Sequence, residues 1–254
     1  MSDRELRSAI GSPGLLRPRG TARRLLDGLL PPIVETAVAE AGGFEPVDPA
    51  AHCRRCGQAL GRGCRGPEDP RCDAAGALWE RLHLLGPYED PLSGWIGRLK
   101  FQREWVWAEA FGRWLAGGCA GTPEGPPPVV TFVPMPPLRR WRRGFNQAHL
   151  LADAFASAST ASGRPLRCRP LLRRSRHAAP QRGLNRRERL RRMNRAFAPV
   201  RGSLGRPAIE PGPVLLVDDV LTTGATLRAA CRVLAAAGHG PIEVAVVAVV
   251  PEKR

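Results

Sequence analysis

Between positions 214 and 217 the chain reads Val-Leu-Leu-Val, and the next two residues are Asp218 and Asp219. Four aliphatic residues in a row, with no polar residue alternating among them, fit a strand covered on both faces, as in a parallel sheet. Open α/β sheets bind ligands at the C-terminal ends of such strands, so this one brings two carboxylates to a ligand site. After Val220 and Leu221 come Thr222, Thr223, Gly224, Ala225 and Thr226, then a helical period through position 237. Free amides at a helix N-terminus, threonine hydroxyls and the positive end of the helix dipole together make a phosphate cradle. Gly224 suits the tight turn and a close backbone approach. Adjacent carboxylates accept hydrogen bonds from a vicinal diol, so acids plus cradle describe a site for a ribose 5-phosphate. The plainer reading is a strand followed by an ordinary N-capped helix with acids at its start. No Gly-Lys-Ser/Thr occurs, which excludes a Walker-type phosphate loop.

Two more apolar runs, at 129–133 and 242–250, alternate with helical stretches at 146–157 and from after Thr226 through 237. This alternation predicts an α/β fold built on a parallel sheet with helices on both faces. Leucines at 25, 26, 29 and 30 predict a helix over 22–30 that stops at Pro31 and Pro32, and a second stretch over 33–41 ends at Gly42 and Gly43. Positions 12–20 read as a loose tail, 52–73 as a cysteine-bearing loop and 123–128 as a proline-rich linker. The resulting partition is a tail and leucine-rich helical segment (1–43), a cysteine knuckle (44–75), a helical connector and linker (76–125), and the α/β domain (126–254).

With 43% hydrophobic residues over 254 positions, a packed core is affordable. No run of eighteen apolar residues and no N-terminal apolar segment occur, so the expected location is the cytoplasm. Seven cysteines in that reducing setting bind metal or stay free. The net charge of +16 is localised, because positions 139–195 hold seventeen arginines against Asp153 and Glu188 alone. Such a field attracts nucleic acid, polyphosphate or an anionic membrane surface. Lysine occurs only at 100 and 253, a sign of coding bias, so arginine-specific geometry is not read into every arginine.

Three constellations follow from these patterns. In the run from Val133 to Ala148, prolines 134, 136 and 137 stiffen the strand exit and four arginines follow within five residues. Arg139, Arg142, Arg143 and Gly144 would form a loop holding a pyrophosphate opposite the cradle, the alternative being a solvated basic loop. Over 182–195, Leu190, Met193 and Phe197 share one helical face with arginines around the others. Arg186, Arg187, Arg191 and Arg192 are the candidates there for contacting nucleic acid, though this helix can equally cover the ribose-phosphate site or face solvent. Cys53, Cys56, Cys64 and Cys72 suit a closed, structural, tetrahedral zinc site, with His52 as a candidate substitute ligand. Cys119, Cys168 and Cys231 read as core or surface thiols.

The stretch 214–226 resembles the PRPP-binding motif of type I phosphoribosyltransferases. That resemblance implies Asp218 and Asp219 on the ribose hydroxyls in a ligand-binding and catalytic role, residues 222–226 around the 5-phosphate, and Mg²⁺ arriving with PRPP. The chain as a whole resembles the ComF/GntX family over roughly 22–250. It does so through Arg143-Gly144-Phe145-Asn146-Gln147, the run Trp95-Ile96-Gly97-Arg98-Leu99-Lys100-Phe101, Gln181-x-x-Leu184, and Arg192-x-Asn194-x-Ala196-Phe197, with the leucine helix and the four-cysteine module. The second cysteine half departs from the family's usual close pair. The resemblance implies a type I phosphoribosyltransferase-like domain preceded by a small four-cysteine zinc module. It also implies a role in natural transformation, with single-stranded DNA and competence-machinery proteins as partners. The alternative is an active Mg-dependent phosphoribosyltransferase on an unidentified acceptor. Purine-salvage enzymes carry a carboxylate base three residues after the second acid, where this chain has Thr222, so purine salvage is disfavoured.

Overall fold

The aliphatic runs become strands of a parallel sheet in the computed structural model, which describes residues 35, 38–39, 41–61, 64–69, 72, 77–119, 129–175, 196–202 and 209–251. The expectations placed on 12–20, 22–30, 123–128 and 182–195 lie outside the described residues. The chain divides into two compact units, Met1–Phe44 and Glu45–Arg254. In the first, helical residues lead to Gly42 and Gly43, both at positive φ, whose amides bond back to the Ala39 and Val38 carbonyls. This is the helix stop expected of two glycines.

The second unit carries strands β1 (Arg81–Pro87), β2 (Val129–Phe132), β3 (Leu172–Arg174), β4 (Phe197–Pro199), β5 (Val214–Leu221) and β6 (Ile242–Val249). Four of them form one sheet in the order β1-β6-β5-β2, parallel throughout, while β3 and β4 pair antiparallel. In register, Leu216 of β5 sits between Val244 of β6 and Thr131 of β2. Central strands of this kind are covered from both sides, which is why β5 and β6 read as unbroken aliphatic runs. The edge strand β1 falls within the segment expected to be a helical connector. Its sequence Arg81-Leu82-His83-Leu84 mixes polar and apolar residues because an edge strand is only partly covered, and His83 meets Glu243 of β6 at 2.7 Å.

The helices are α1 (Leu92–Gly97), which runs on into a π-helical turn (Arg98–Gln102), α2 (Val106–Gly118), α3 (Pro137–Arg143), α4 (Gln147–Ala161) and α5 (Ala225–Ala236). Stacked rings of Trp95 and Trp107, 4.6 Å apart, join α1 to α2 and account for the aromatic concentration in this part of the chain. Helices α2 and α4 pack on each other and on the sheet. On the opposite face Val214, Leu216, Val244 and Val246 share a core with α5, the four cysteines, Leu172 and Phe197. The cysteine loop reaches the sheet through Gly57, at φ +75°, where an added Cβ would lie 2.8 Å from Val249 and 2.9 Å from Leu82. Among the described residues no helix is long and apolar enough to cross a membrane.

Gly112 marks the closest approach of α2 and α4: a Cβ there would sit 2.5 Å from the Ala154 Cβ and 2.7 Å from the Phe155 amide nitrogen. Backbone cannot step aside as a flexible side chain can. In an exposed helix Gly→Ala gains about 1 kcal/mol, but overpacking costs about 1–3 kcal/mol, and here the second effect should win. Gly112→Ala should therefore lower stability in urea unfolding, whereas Gly117→Ala, with nothing within 4 Å of its Cβ position, should not.

Candidate functional site

Successive residues of a strand point to opposite faces, so Asp218 and Asp219 diverge at the end of β5 although they are adjacent in sequence. Asp219 is buried on the side of α4. Its Oδ2 receives the Lys100 Nζ at 3.0 Å and the Gln147 Nε2 at 2.5 Å. Lys100 comes from the π-helical turn after α1, a local irregularity frequent at functional sites. Gln147 is held in turn by Arg143, whose Nη1 donates to Gln147 Oε1 at 2.9 Å.

The sequence from Arg143 to Gln147 explains how this arrangement is built. Gly144, at φ +85°, ends α3 in the left-handed conformation that few other residues adopt. Phe145 is buried. Asn146 then caps α4, accepting from the Ala148 amide at 3.2 Å while donating to the Val133 carbonyl at 3.0 Å. The cap ties the start of α4 to the exit of β2, so Gln147, the first helical residue, faces Asp219. The arginine segment expected as a loop is a helix of seven residues, started by Pro137 at its first position.

On the other side, Arg174 of β3 supplies the positive charge beside Asp218. It donates from Nε to the Pro134 carbonyl at 2.8 Å and lies over the Phe197 ring at 4.4 Å. Burial and the neighbouring Asp219 charge push the Asp218 carboxyl up to about 8, against the pull of Lys100 and Arg174. Arg139 adds its field to Arg143 and Arg174. Lys100, Arg139, Arg143 and Arg174 thus put a cationic rim around the acid pair.

Past Leu221 the chain turns through Thr222 and Thr223, both exposed, to Gly224, which caps α5 at φ +69°. Ala225 and Thr226 open the helix. Arg228, one turn along, folds back so that its guanidinium donates to the Thr223 carbonyl. A Cβ at Gly224 would approach that guanidinium to 3.0 Å. The loop therefore offers helix-start amides, threonine hydroxyls and an adjacent guanidinium, a set of donors suited to a phosphate.

Cys53, Cys56, Cys64 and Cys72 converge although the spacing of the last two is wide. All four are buried, none is in a disulfide, and their sulfurs lie within 4.8 Å of one another. The Cys53–Cys72 and Cys56–Cys64 sulfur separations are 3.8 and 3.6 Å. A metal ion could be held there. His52 bonds instead through Nδ1 to the Asp48 carbonyl at 3.2 Å.

Arg186, Arg187, Arg191 and Arg192 lie outside the described residues. Four residues that sequence reasoning did not single out as site residues are Lys100, Gln147, Arg174 and Arg228. Lys100 did carry a signal: it is one of two lysines in a chain whose basic residues are otherwise arginine.

A parallel sheet carrying an acid pair on a central strand and a phosphate-type loop after it defines a phosphoribosyltransferase-type domain, and the family model described as "Phosphoribosyl transferase domain" matches residues 194–254. Competence protein F of Haemophilus influenzae is 29% identical over 170 residues, covering 65% of this chain and 71% of that protein. DNA utilization protein YhgH of Escherichia coli O6:H1 is 33% identical over 186 residues (68% of this chain, 74% of that protein). Its Salmonella typhi counterpart is 32% identical over 203 residues (76% and 81%). The chain belongs to the ComF family.

The raised Asp218 carboxyl makes stability depend on pH. An ordinary aspartate titrates near 3.8 and the folded one at about 8, so the folded chain keeps a proton that the unfolded chain releases. The stability this contributes is complete below about pH 4 and lost as pH rises through about 8. Asp218→Asn cannot ionise. Its melting temperature relative to the parent chain should therefore improve from pH 5 to about pH 8 and level off above that. A difference that stays constant over that interval would show the carboxyl to be ionised throughout.

Proposed function

We propose that this chain binds PRPP, or a closely related ribose phosphate, and acts in DNA uptake and the handling of single-stranded DNA during natural transformation. The observation that carries the ligand reading is the pairing of two carboxylates with a phosphate-type loop across one turn of chain. In this reading Asp218 and Asp219 accept the ribose hydroxyls, while residues 222–226 and Arg228 hold the 5-phosphate. Arg139, Arg142 and Arg143, with the turn at Gly144, take the pyrophosphate. Mg²⁺ would come with the ligand and neutralise pyrophosphate charge, since both acids already face cations and form no ready metal cage. The biological role rests on the relatives, a competence protein and DNA utilization proteins.

Turnover is the second reading, favoured by the complete acid pair. The position of a purine-salvage base is Thr222, exposed and without a carboxylate, so an acceptor would have to supply a nucleophile that needs no such base. The four cysteines fit zinc: ligands at about 2.3 Å in a tetrahedron lie about 3.8 Å apart, close to the sulfur separations given above. This zinc would be structural and fasten the cysteine loop to the sheet.

PRPP with Mg²⁺ at about 100 times its dissociation constant should stabilise the chain by about 2.7 kcal/mol, read as a rise in melting temperature. Asp219→Asn should abolish the rise while the far-UV circular dichroism spectrum stays unchanged. No rise in the parent chain at millimolar PRPP would dismiss the ligand reading. Radiolabelled pyrophosphate release in the same tube separates binding from turnover.

Zinc is checked independently. Freshly purified, unchelated protein should contain one zinc per chain by elemental analysis, and Cys53→Ser with Cys56→Ser should lose it. Residues 44–75 should then become protease-sensitive, because structural zinc sites contribute about 10–16 kcal/mol in small peptides. Metal-free protein that keeps its protease resistance would rule out the structural role.

A further inference from the structure

Seven large hydrophobic side chains are exposed among the described residues, and four of them, Phe101, Trp105, Leu138 and Trp141, lie in or just after the π-helical turn and on α3, the elements that carry Lys100 and Arg143. Trp141 is 82% exposed and Phe101 75%. Contiguous exposed apolar groups rimmed by charge mark interaction surfaces, whereas scattered ones need no explanation.

Each of the three rings is tied to α3 or to the turn that follows it. The Arg143 guanidinium lies 5.2 Å from the centre of the Phe101 ring, and Arg143 reaches Asp219 through Gln147. Trp105 meets Phe145 edge-on, with ring centres 6.5 Å apart. Trp141 and Leu138 are three residues apart on α3 and share a face, next to the exposed Arg140 and Arg142. Glu104, the carboxylate beside Trp105, is tied to Arg98 at 2.7 Å and to the Trp107 indole. The patch therefore shows guanidinium planes and aromatic faces, with its neighbouring acid engaged elsewhere.

We infer that Phe101, Trp105 and Trp141 are a stacking platform for the bases of single-stranded nucleic acid whose phosphates run along Arg139, Arg140 and Arg142, at the rim of the ribose-phosphate cradle. Every base has a π-face, so stacking of this kind holds a strand with little regard to sequence. Arginine on such a surface contributes both charge and a flat face. The seven residues of α3 offer too short an apolar face to lie in a membrane surface, whereas exposed rings beside arginines suit bases and their phosphates. The inference rests on the DNA reading above and gives it a surface. It differs from the expectation that Arg186, Arg187, Arg191 and Arg192 contact the nucleic acid.

The test is fluorescence anisotropy of a labelled oligothymidylate titrated with the full-length protein across a salt series. Phe101→Ala with Trp141→Ala should weaken binding at least tenfold and leave the salt dependence unchanged. Arg140→Gln with Arg142→Gln should flatten the log–log salt slope by about 0.7 per lost phosphate contact. Phe101→Trp with Trp141→Phe should retain affinity, since an aromatic face is kept at both positions. All these side chains are exposed, so melting temperatures should match the parent chain. Binding by the parent chain that the alanine pair leaves intact overturns the platform and spares the DNA reading. Absence of any binding at low salt overturns both. Binding to anionic phospholipid vesicles without binding to the oligonucleotide overturns them in favour of a membrane surface.

Discussion

Two ionisable carboxylates at the end of a buried strand repel each other and lose water together. The β-strand alternation sends one to each side of the sheet, where Lys100 draws on both and Arg174 adds its charge beside Asp218. The structure answers with one cation from each layer: Lys100, with Gln147, on Asp219, and Arg174 beside Asp218. The π-helical turn after α1, the cap of α4 and the short antiparallel β3–β4 pair are thereby committed to fixed positions. Much of the domain outside the central strands serves this requirement.

In the ligand-free chain the acids are already satisfied, and among the described residues no buried side-chain nitrogen or oxygen lacks a hydrogen-bond partner. A diol that engages Asp219 must share it with Lys100 and Gln147 or displace them. The exchange replaces one set of charge-assisted hydrogen bonds by another, so its net contribution to affinity is modest compared with the gross strength of either. In the proposed complex the larger share of the binding energy would fall to the phosphate groups, facing the loop amides, Arg228 and the arginines of α3, with the acids orienting the ring.

The central part of this design was legible in the sequence because its signals are local. Val214 to Val217 could be read as buried strand, Gly224 as the turn, and 242–250 as a neighbouring strand without any knowledge of partners. Asn146 is a similar case, since a helix cap depends on its own segment. The partners of the acids were another matter. Lys100, Gln147 and Arg174 come from three distant segments, and only the fold brings them together. Among so many arginines, no pattern distinguishes Arg174 from Arg173, whose side chain faces the other way on the same short strand. The edge strand β1 escaped because only part of it is fully buried and its polar residues break the apolar run. The cysteines show the reverse: their spacing looked irregular, yet the four sulfurs meet, because a loop can adjust its path where a helix or strand cannot.

Arginine abundance from coding bias also leaves a physical record of where the side chain matters. Arg143 and Arg174 each lie over an aromatic ring while bonding an oxygen in their plane, Gln147 Oε1 for one and the Pro134 carbonyl for the other. A planar fork can do both, and an ammonium cannot. At Asp219 the requirement is different: the cation must fit into a buried corner beside Gln147, against one carboxylate oxygen. An ammonium is a compact charge on an unbranched stem, and a guanidinium there would need room for donors that have no acceptors. That the chain keeps lysine at position 100, against the pressure acting on nearly every other basic position, follows from this geometry.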